Sequence, residues 1–172
     1  MLKVIVTGPE SSGKTTLCNS LAENFNIPFT AEFSREFLNK LDDGYYTQDD
    51  LLVIAKGQLQ TEQLITNNQQ LYLHDTDLIT IKIWSEYKYG NCDNWILEQI
   101  EKNKKEKRFY LLCKPDIPWE IDPLRENPHN RGELFEIYKK ELENLRHDYY
   151  VVEGKRRLET IIEKIYQLRT PN

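Results

Sequence analysis

Eight consecutive residues near the amino terminus have the types and spacing that bind the phosphate groups of a nucleotide. The segment Gly8-Pro9-Glu10-Ser11-Ser12-Gly13-Lys14-Thr15 fits the pattern G-x-x-x-x-G-K-[S/T] at every position. In such a loop, backbone N–H groups converge on phosphate oxygens, and the helix that follows adds positive potential. Lys14 is expected to reach the β and γ phosphates, and Thr15 to offer its hydroxyl to Mg²⁺. A glycine-bearing turn is the weaker alternative, so the sequence predicts that ATP is bound by Gly8, Glu10, Ser11, Ser12, Gly13, Lys14, Thr15 and Thr16.

Two acidic residues further along the chain are candidates for chemistry at that phosphate. Asp75 ends the apolar run that starts at Leu71, which is the usual position of a carboxylate that holds Mg²⁺ directly or through water. Glu32 follows a short apolar segment and could bind an acceptor hydroxyl or take its proton. The alternatives are a helix N-cap for Asp75 and a surface ion pair for Glu32. The sequence does not decide which of the two is the base.

Asp77 and Arg35 stand close to these carboxylates in the sequence. Asp77 suits the N-cap of the next helix, with a contact to substrate as the alternative. Arg35 could pair with Glu32 or face a phosphate, and its alternative is an ordinary ion pair at a helix start. Both are therefore retained as candidate substrate-binding residues.

Basic residues in two later segments could complete the site. Arg125 and Arg131 flank a polar stretch rich in Pro, Asp and Asn, within a connection too long for a typical loop. Such a segment is expected to close as a lid (residues 115–131) and to place both arginines on the transferred phosphate, where they would act catalytically. The alternative is a solvated loop. Lys155 and Arg157 follow the last predicted strand and could approach the adenine or its phosphates, or simply begin a charged helix.

Aromatic residues are expected near the same edge of the fold. Aromatic faces attract cations and flat heterocycles, so we consider Trp84, Tyr87, Tyr89 and Trp119 as candidate substrate-binding residues. Core packing is the default for any one of them. Trp119 is the exception, since a polar loop offers little core to fill.

The elements that must position these residues alternate between strands and helices. Five strands are predicted at Leu2–Thr7, Pro28–Glu32, Leu71–Asp75, Phe109–Cys113 and Tyr149–Val152. Helices are predicted at Lys14–Phe25, Thr47–Asn67, Asp77–Tyr89, Asn94–Lys102, Arg131–Arg146 and Arg156–Leu168. The pattern indicates a three-layer α/β P-loop fold with a parallel sheet in the order 2-3-1-4-5. Ligands bind at the carboxyl ends of such strands, so one rim should gather Gly8, Glu32, Asp75, Pro115 and Gly154.

The third predicted helix carries two local signals. Thr47 and Asp50 have the spacing of a capping box, with Asp in place of the stronger Glu. Gly57 lies inside the helix, where it costs about 1 kcal/mol relative to Ala. Close packing against a neighbouring element would explain that glycine.

Length and charge limit the classes of function. The chain has 172 residues and a mass of 20.5 kDa, which suits a single domain over 1–172. Its net charge is −5 and its pI about 5.3, which argues against nucleic acid as a main partner. No apolar run approaches the roughly 18 residues of a membrane helix, and no signal peptide is recognisable at the amino terminus.

Cysteine and histidine spacing argues against a structural metal or disulfide scaffold. Cys18, Cys92 and Cys113 are scattered, and the three histidines, His74, His129 and His147, show no metal-ligand spacing. We therefore expect a cytoplasmic protein with reduced thiols. Its oligomeric state stays open, and a homo-oligomer is one option.

Taken together, the motifs resemble the ribosylnicotinamide kinase domain of the NadR-type P-loop kinases. The resemblance spans nearly the whole chain and includes the Gly8–Thr15 loop. It continues through residues 32–36 (EFSRE), 54–58 (IAKGQ), 75–77 (DTD), 84–85 (WS), 89–90 (YG), 116–119 (DIPW) and 122–125 (DPLR), and Arg131. The dipeptide Phe33-Ser34 departs from the more usual Tyr-Ala.

The resemblance implies a reaction and its partners. Members of this family transfer a phosphoryl group from ATP to the 5′-hydroxyl of nicotinamide riboside, which gives nicotinamide mononucleotide and ADP. Many also carry an adenylyltransferase domain, which we expect to be absent here. The alternatives are a kinase for another nucleoside or small molecule, and a nucleotide-dependent switch that binds or slowly hydrolyses ATP.

Overall fold

A five-stranded parallel sheet forms the middle layer of the molecule, in the order β2-β3-β1-β4-β5. The computed structural model describes residues 1–41, 45–64 and 70–169. The strands are β1 Leu2–Thr7, β2 Phe29–Thr30, β3 Leu71–Asp75, β4 Arg108–Cys113 and β5 Asp148–Val152. The helices are α1 Lys14–Phe25, α2 Phe33–Leu38, α3 Gln48–Leu64, α4 Leu78–Tyr89, α5 Asn94–Asn103, α6 Arg131–Asn144 and α7 Arg157–Arg169. The predicted fold class and strand order are confirmed.

Alternation along β1 divides the core into two halves. Val4 and Val6 face the side covered by α1 and α7, whereas Ile5 faces the side covered by α3, α4 and α6. All three side chains are fully buried. Because the sheet is covered on both faces, its strands read as continuous apolar runs rather than as alternating ones.

Register at the centre of the sheet brings the chemistry-bearing strand ends together. β1 lies between β3 and β4, with Val6 opposite Asp75 on one side and Thr7 opposite Leu112 on the other. The phosphate loop that leaves β1 therefore begins beside the carboxylate that ends β3. This is the arrangement that the parallel topology predicts.

Helix α3 has the start that the sequence predicts. The backbone N–H of Thr47 donates to Asp50 Oδ2 at 2.7 Å, and the N–H of Asp50 is 3.3 Å from the Thr47 hydroxyl. This is the reciprocal pairing of a capping box. The helix extends to Leu64, and the predicted end at 65–67 lies outside the described residues.

The second crossover is where the sequence prediction is least accurate. The strand predicted over Pro28–Glu32 is reduced to Phe29–Thr30, and the sequence did not predict α2. Glu32 is the N-cap residue of α2 instead of the end of a strand. A helix of six residues is too short to show apolar periodicity, so its packing and not its pattern defines it.

Within the described ranges, no helix has both the length and the hydropathy needed to cross a membrane.

Candidate functional site

The phosphate loop owes its shape to backbone conformations that favour glycine. Gly8 has φ 133° and Gly13 has φ 85°, both in the region that L side chains rarely adopt. A Cβ on Gly8 would lie 2.6 Å from the carbonyl oxygen of Cys113 on β4. The motif therefore needs its first glycine for two reasons, a positive φ and the close approach of the neighbouring strand.

Lys14 and Ser12 both brace the start of the loop. The Lys14 ammonium and the Ser12 hydroxyl each donate to the carbonyl oxygen of Pro9 at 2.8 Å. Ser12 is fully buried, whereas Lys14 lines a cavity above the loop. A phosphate in that cavity would meet the ammonium at the end of a flexible stem, as the motif requires.

Two arginines hold carbonyl groups of the loop. Arg131 donates to Ser11 O at 3.1 Å, and Arg157 donates to Ser12 O at 2.6 Å. In a planar trans peptide the N–H of the next residue points opposite to the carbonyl. The N–H groups of Ser12 and Gly13 are therefore turned away from the two guanidinium groups.

Asp75 lies under the loop and accepts a hydrogen bond from the Thr15 hydroxyl. Thr15 donates its hydroxyl to Asp75 Oδ2 at 2.6 Å, and Asp75 is 1% exposed. Burial, followed by the neighbouring Glu32 carboxylate, raises the pKa of Asp75 from its usual 3.8 to about 6. Its other oxygen, Oδ1, is buried without a hydrogen-bond partner among the described residues.

These donors fit a magnesium ion. An unpaired buried carboxylate oxygen is costly, and a divalent cation held by Asp75 and Thr15 would satisfy it. Among the residues that the structure describes, no cluster of three or more His, Cys, Asp or Glu side chains could hold a metal by itself. Mg²⁺ typically takes one or two carboxylates from a protein and completes its shell with water and phosphate oxygens.

A cavity of about 410 Å³ extends from the phosphate loop to the start of α2. Glu32 lines it from the start of α2, and one of its oxygens accepts the Ser34 hydroxyl at 2.6 Å. Of the residues predicted for the site, those lining the cavity are Glu10, Ser11, Ser12, Gly13, Lys14, Thr15, Thr16, Glu32, Arg35, Trp84, Trp119 and Arg125. Ser34 also lines the cavity and donates to Glu32, but it was not predicted from the sequence. A single serine near a carboxylate does not form a recognisable motif.

The segment from Lys114 to Asn130 contains no helix or strand and lies against the phosphate loop. The Glu10 carboxylate accepts the backbone N–H groups of Glu126 and Asn127, the latter at 2.9 Å. Burial raises the pKa of Glu10 above its usual 4.5, and these two N–H groups act against that rise. Glu10 therefore fastens the predicted lid to the loop.

Arg125 and Arg131 occupy different positions relative to the cavity. Arg125 lines it, and its guanidinium lies 3.3 Å from the Ser11 hydroxyl and 2.7 Å from Glu120 O. Arg131 instead binds Ser11 O and Ile117 O, with its guanidinium 5.6 Å from the centre of the Trp119 ring. Only Arg125 of the pair lines the cavity, so we assign Arg131 to positioning the loop.

Arg35 forms an ion pair, as in the alternative that the sequence left open, but its partner is Asp122 and not Glu32. Its guanidinium pairs with Asp122 of the lid at 2.9 Å while the residue lines the cavity. The hydrogen bond from the Leu124 N–H, followed by the neighbouring Arg35 guanidinium, lowers the pKa of Asp122 below its usual 3.8. Arg35 therefore links α2 to the predicted lid. The sequence alone did not indicate a role for Asp122.

Asp77 does not reach the cavity. Its Oδ1 accepts the N–H of Ile79 at 3.0 Å, which caps α4. Its Oδ2 accepts Tyr110 at 2.7 Å and Arg108 at 3.1 Å, and all three residues are buried. Because both oxygens are engaged, we assign Asp77 to the helix cap and to a buried ion pair, and withdraw it as a substrate contact.

The four aromatic candidates occupy different positions, and Trp119 lines only the first cavity. Trp84 lines both the first cavity and a second one of about 200 Å³, whereas Tyr87 lines only the second. Tyr89 donates to the carbonyl oxygen of Tyr46 at 2.9 Å and packs on the core. Tyr89 therefore has the packing role that is the default for such residues.

The predicted basic pair after β5 also divides. Arg157 binds the loop through Ser12 O and pairs with Asp116, which accepts the N–H of Gly154 at 2.7 Å. Lys155 is exposed. The structure thus brings Arg157 to the loop as a support for its backbone and does not bring Lys155 into the cavity lining.

Fold, loop and buried carboxylate together define a P-loop nucleotide-binding domain with the architecture of the P-loop kinases. A family model described as an AAA domain, AAA_28, matches residues 3–159, and the chain belongs to that family.

Within curated proteins, the chain is similar to the trifunctional NAD biosynthesis/regulator protein NadR. It is 26% identical to the Salmonella typhimurium protein over 127 residues and 27% identical to the Escherichia coli protein over 126 residues. Each alignment covers 71% of this chain and 30% of the relative. The chain therefore matches under a third of the length of these relatives.

Solved structures share the fold. A crystal structure of NadR in complex with NR has a TM-score of 0.71 at 23% identity, covering 96% of this chain and 50% of that one. A NadR complex with NAD and AMP-PNP also gives 0.71, at 24% identity, covering 96% and 48%. Deoxyadenosine kinase from M. mycoides with bound dATP gives 0.57 at 12% identity, covering 96% and 100%.

Proposed function

We propose that this chain is an ATP-dependent kinase that phosphorylates the 5′-hydroxyl of nicotinamide riboside, giving nicotinamide mononucleotide and ADP. The observation that carries the proposal is the single cavity lined by Lys14 and Thr15 on one side and by Glu32 on the other, with Arg125 above. A phosphate donor and a hydroxyl acceptor placed there would meet within one cavity. The lid, residues 115–131, would exclude the water that otherwise hydrolyses ATP.

In this proposal the phosphate side of the cavity supplies charge. Lys14 and Arg125 neutralise the migrating phosphoryl group, since phosphoryl transfer depends on positioning and electrostatics more than on covalent chemistry. Thr15 and Asp75 would hold Mg²⁺, and the bound ion would supply positive charge that stabilises the phosphate groups. The position of Asp75 beneath Thr15 favours this metal role over that of a base.

Glu32 is then the better candidate for the acceptor hydroxyl. Its carboxylate lines the cavity, whereas one Asp75 oxygen is engaged by Thr15 and the residue is almost fully buried. The Ser34 hydroxyl fixes one Glu32 oxygen, which leaves the other to accept a hydrogen bond from the 5′-hydroxyl. Glu32 would orient that hydroxyl and take its proton as the phosphoryl group arrives.

The acceptor is proposed to be a nucleoside with a cationic base. Nicotinamide riboside carries a pyridinium ring, which aromatic faces and carboxylates attract. Trp84 lies where the two cavities meet, and Glu10 lines both. A NadR structure that is described as a complex with NR supports this choice.

The test is a panel of nucleosides, including nicotinamide riboside, incubated with ATP and Mg²⁺ and followed by ADP release and product mass. Formation of nicotinamide mononucleotide with ADP release that depends on the acceptor is the expected result. A different phosphorylated nucleoside would keep the kinase and change its substrate. Equal slow ADP release with and without every acceptor would identify a nucleotide-dependent switch and refute the kinase. In that case Glu32→Gln should leave ADP release unchanged.

A further inference from the structure

Helix α3 contacts the acceptor side of the site through two adjacent residues. Gly57 lies so close to Phe33 that a Cβ there would be 2.2 Å from Cε1 and 2.4 Å from Cζ of the ring. Gln58, which is 1% exposed, accepts the backbone N–H of Phe33 through Oε1 at 2.8 Å. Phe33 is thus held at both its ring and its backbone by one turn of α3.

Phe33 directly follows Glu32. The short helix α2 begins at Phe33, with Glu32 in extended conformation (φ −67°, ψ 110°) as its N-cap residue. The Glu32 side chain makes no capping hydrogen bond to the helix, and the Ser34 hydroxyl holds its carboxylate instead. The direction in which Glu32 enters the cavity therefore depends on where Phe33 is fixed.

We propose that Gly57 and Gln58 are positioning residues for catalysis, which seat Phe33 so that Glu32 presents its carboxylate to the acceptor hydroxyl. This inference rests on the proposed kinase function and deepens it. An interior glycine weakens α3 relative to alanine, and the space it leaves is filled by the Phe33 ring. Since α3 does not line the cavity, the two residues act only through Phe33.

The expected signature is a loss confined to the acceptor half of the reaction. Gly57→Ala forces the ring to move, and displacing a reacting group by about 1 Å can cost about 100-fold in rate. We expect kcat to fall by about that factor and the KM for nicotinamide riboside to change. The Kd of an ATP analogue should stay within about twofold, since Gly57 does not line the cavity at the phosphate loop.

Each variant has a matched control on the same type of backbone. Gly132→Ala, in the first turn of α6, adds a Cβ with nothing within 4 Å and should leave all three constants unchanged. Gln58→Met removes the acceptor for the Phe33 N–H, whereas Gln60→Met changes an exposed residue of the same helix and should have no effect. Phe33→Ala in the Gly57→Ala background removes the ring that the new methyl group meets.

The double variant keeps the test sharp if Gly57→Ala folds poorly. Thermal unfolding of the four proteins of this cycle should show the double variant losing less than the sum of the single variants. Additive losses, or equal losses in acceptor KM, kcat and ATP-analogue Kd, would overturn the positioning role while leaving the kinase intact. Wild-type protein without acceptor-dependent ADP release would instead overturn the proposed function, and the positioning role with it.

Discussion

Thr15 and Asp75, 60 residues apart in sequence, meet through a hydrogen bond of 2.6 Å at the centre of the sheet. Parallel pairing of β1 with β3 makes the contact possible, because it sets the end of one strand beside the start of the loop that leaves the other. The bond leaves Asp75 Oδ1 buried and unpaired among the described residues. The carboxylate is therefore held in a state that favours a cation and opposes ionisation without one.

Replacing Asp75 with asparagine should stabilise the cation-free protein at neutral pH while abolishing turnover. The raised pKa of Asp75 means that its contribution to folding is present at low pH and is lost as the pH rises through about 6. One pKa unit corresponds to about 1.4 kcal/mol, so the rise from 3.8 to about 6 corresponds to about 3 kcal/mol. Urea unfolding without divalent cations should show Asp75→Asn gaining about that amount relative to wild type between pH 4 and pH 7.5.

Asp148→Asn, which changes an exposed carboxylate at the start of β5, is the control for this comparison and should show no such gain. A constant difference between Asp75→Asn and wild type across the pH range would contradict the assigned environment of Asp75.

Replacing Lys14 with alanine should abolish turnover and preserve the fold. Its ammonium makes a hydrogen bond to Pro9 O and lines the cavity, so its loss removes little packing. Removing one group that stabilises developing charge costs about 100-fold to 1,000-fold in kcat. ADP release and circular dichroism measure the two effects. Lys105→Ala, in the exposed turn before β4 and so at the opposite end of the strands, should be neutral. Retained activity in Lys14→Ala would refute the site.

Arg125 and Arg131 should respond differently to alanine substitution. Arg125 lines the cavity, and removing a charge on the transferred phosphate is expected to lower kcat by about 1,000-fold. Arg131 holds Ser11 O, so its loss should loosen the loop and raise the KM for ATP more than it lowers kcat. Separate measurement of kcat and KM distinguishes them, and the reverse pattern would mean that the two roles are exchanged.

Replacing Glu10 with glutamine should uncouple ATP hydrolysis from the acceptor. The Glu10 carboxylate grips the N–H groups of Glu126 and Asn127, and hydrogen bonds to a charged group contribute about 1.5–3 kcal/mol. Weakening them lets the lid open more often and admits water. The ratio of ADP release with acceptor to release without it should fall about tenfold or more, and an unchanged ratio would show that Glu10 does not hold the lid.

The sequence was sufficient for the sheet, the phosphate loop and the position of Asp75. Each of these depends on local signals: apolar runs that end in glycine or aspartate, and one motif of fixed spacing. The central strands are buried on both faces, so each appears in the sequence as a short, continuous apolar run. The rules for connecting parallel strands then leave few possible strand orders, and the predicted order is confirmed.

Roles that depend on three-dimensional packing were harder to predict. The spacing of Arg125 and Arg131 does not indicate which of them lines the cavity and which binds the backbone of the phosphate loop. From the sequence, Asp77 could be a helix cap or a substrate contact. The hydrogen bonds that Arg108 and Tyr110 donate to its carboxylate decide against the substrate contact. The packing suspected at Gly57 was correct, but its partner Phe33 lies in a helix too short to leave a pattern in the sequence.

The grip of Arg131 and Arg157 on consecutive loop carbonyls has a practical consequence for handling the protein. Because the N–H groups of Ser12 and Gly13 are turned away from the two guanidinium groups, we expect the loop to bind small tetrahedral oxyanions. Buffers containing inorganic phosphate or sulfate should therefore occupy it and mask weak nucleotide binding, and zwitterionic buffers with chloride salts are the better medium for measuring affinity.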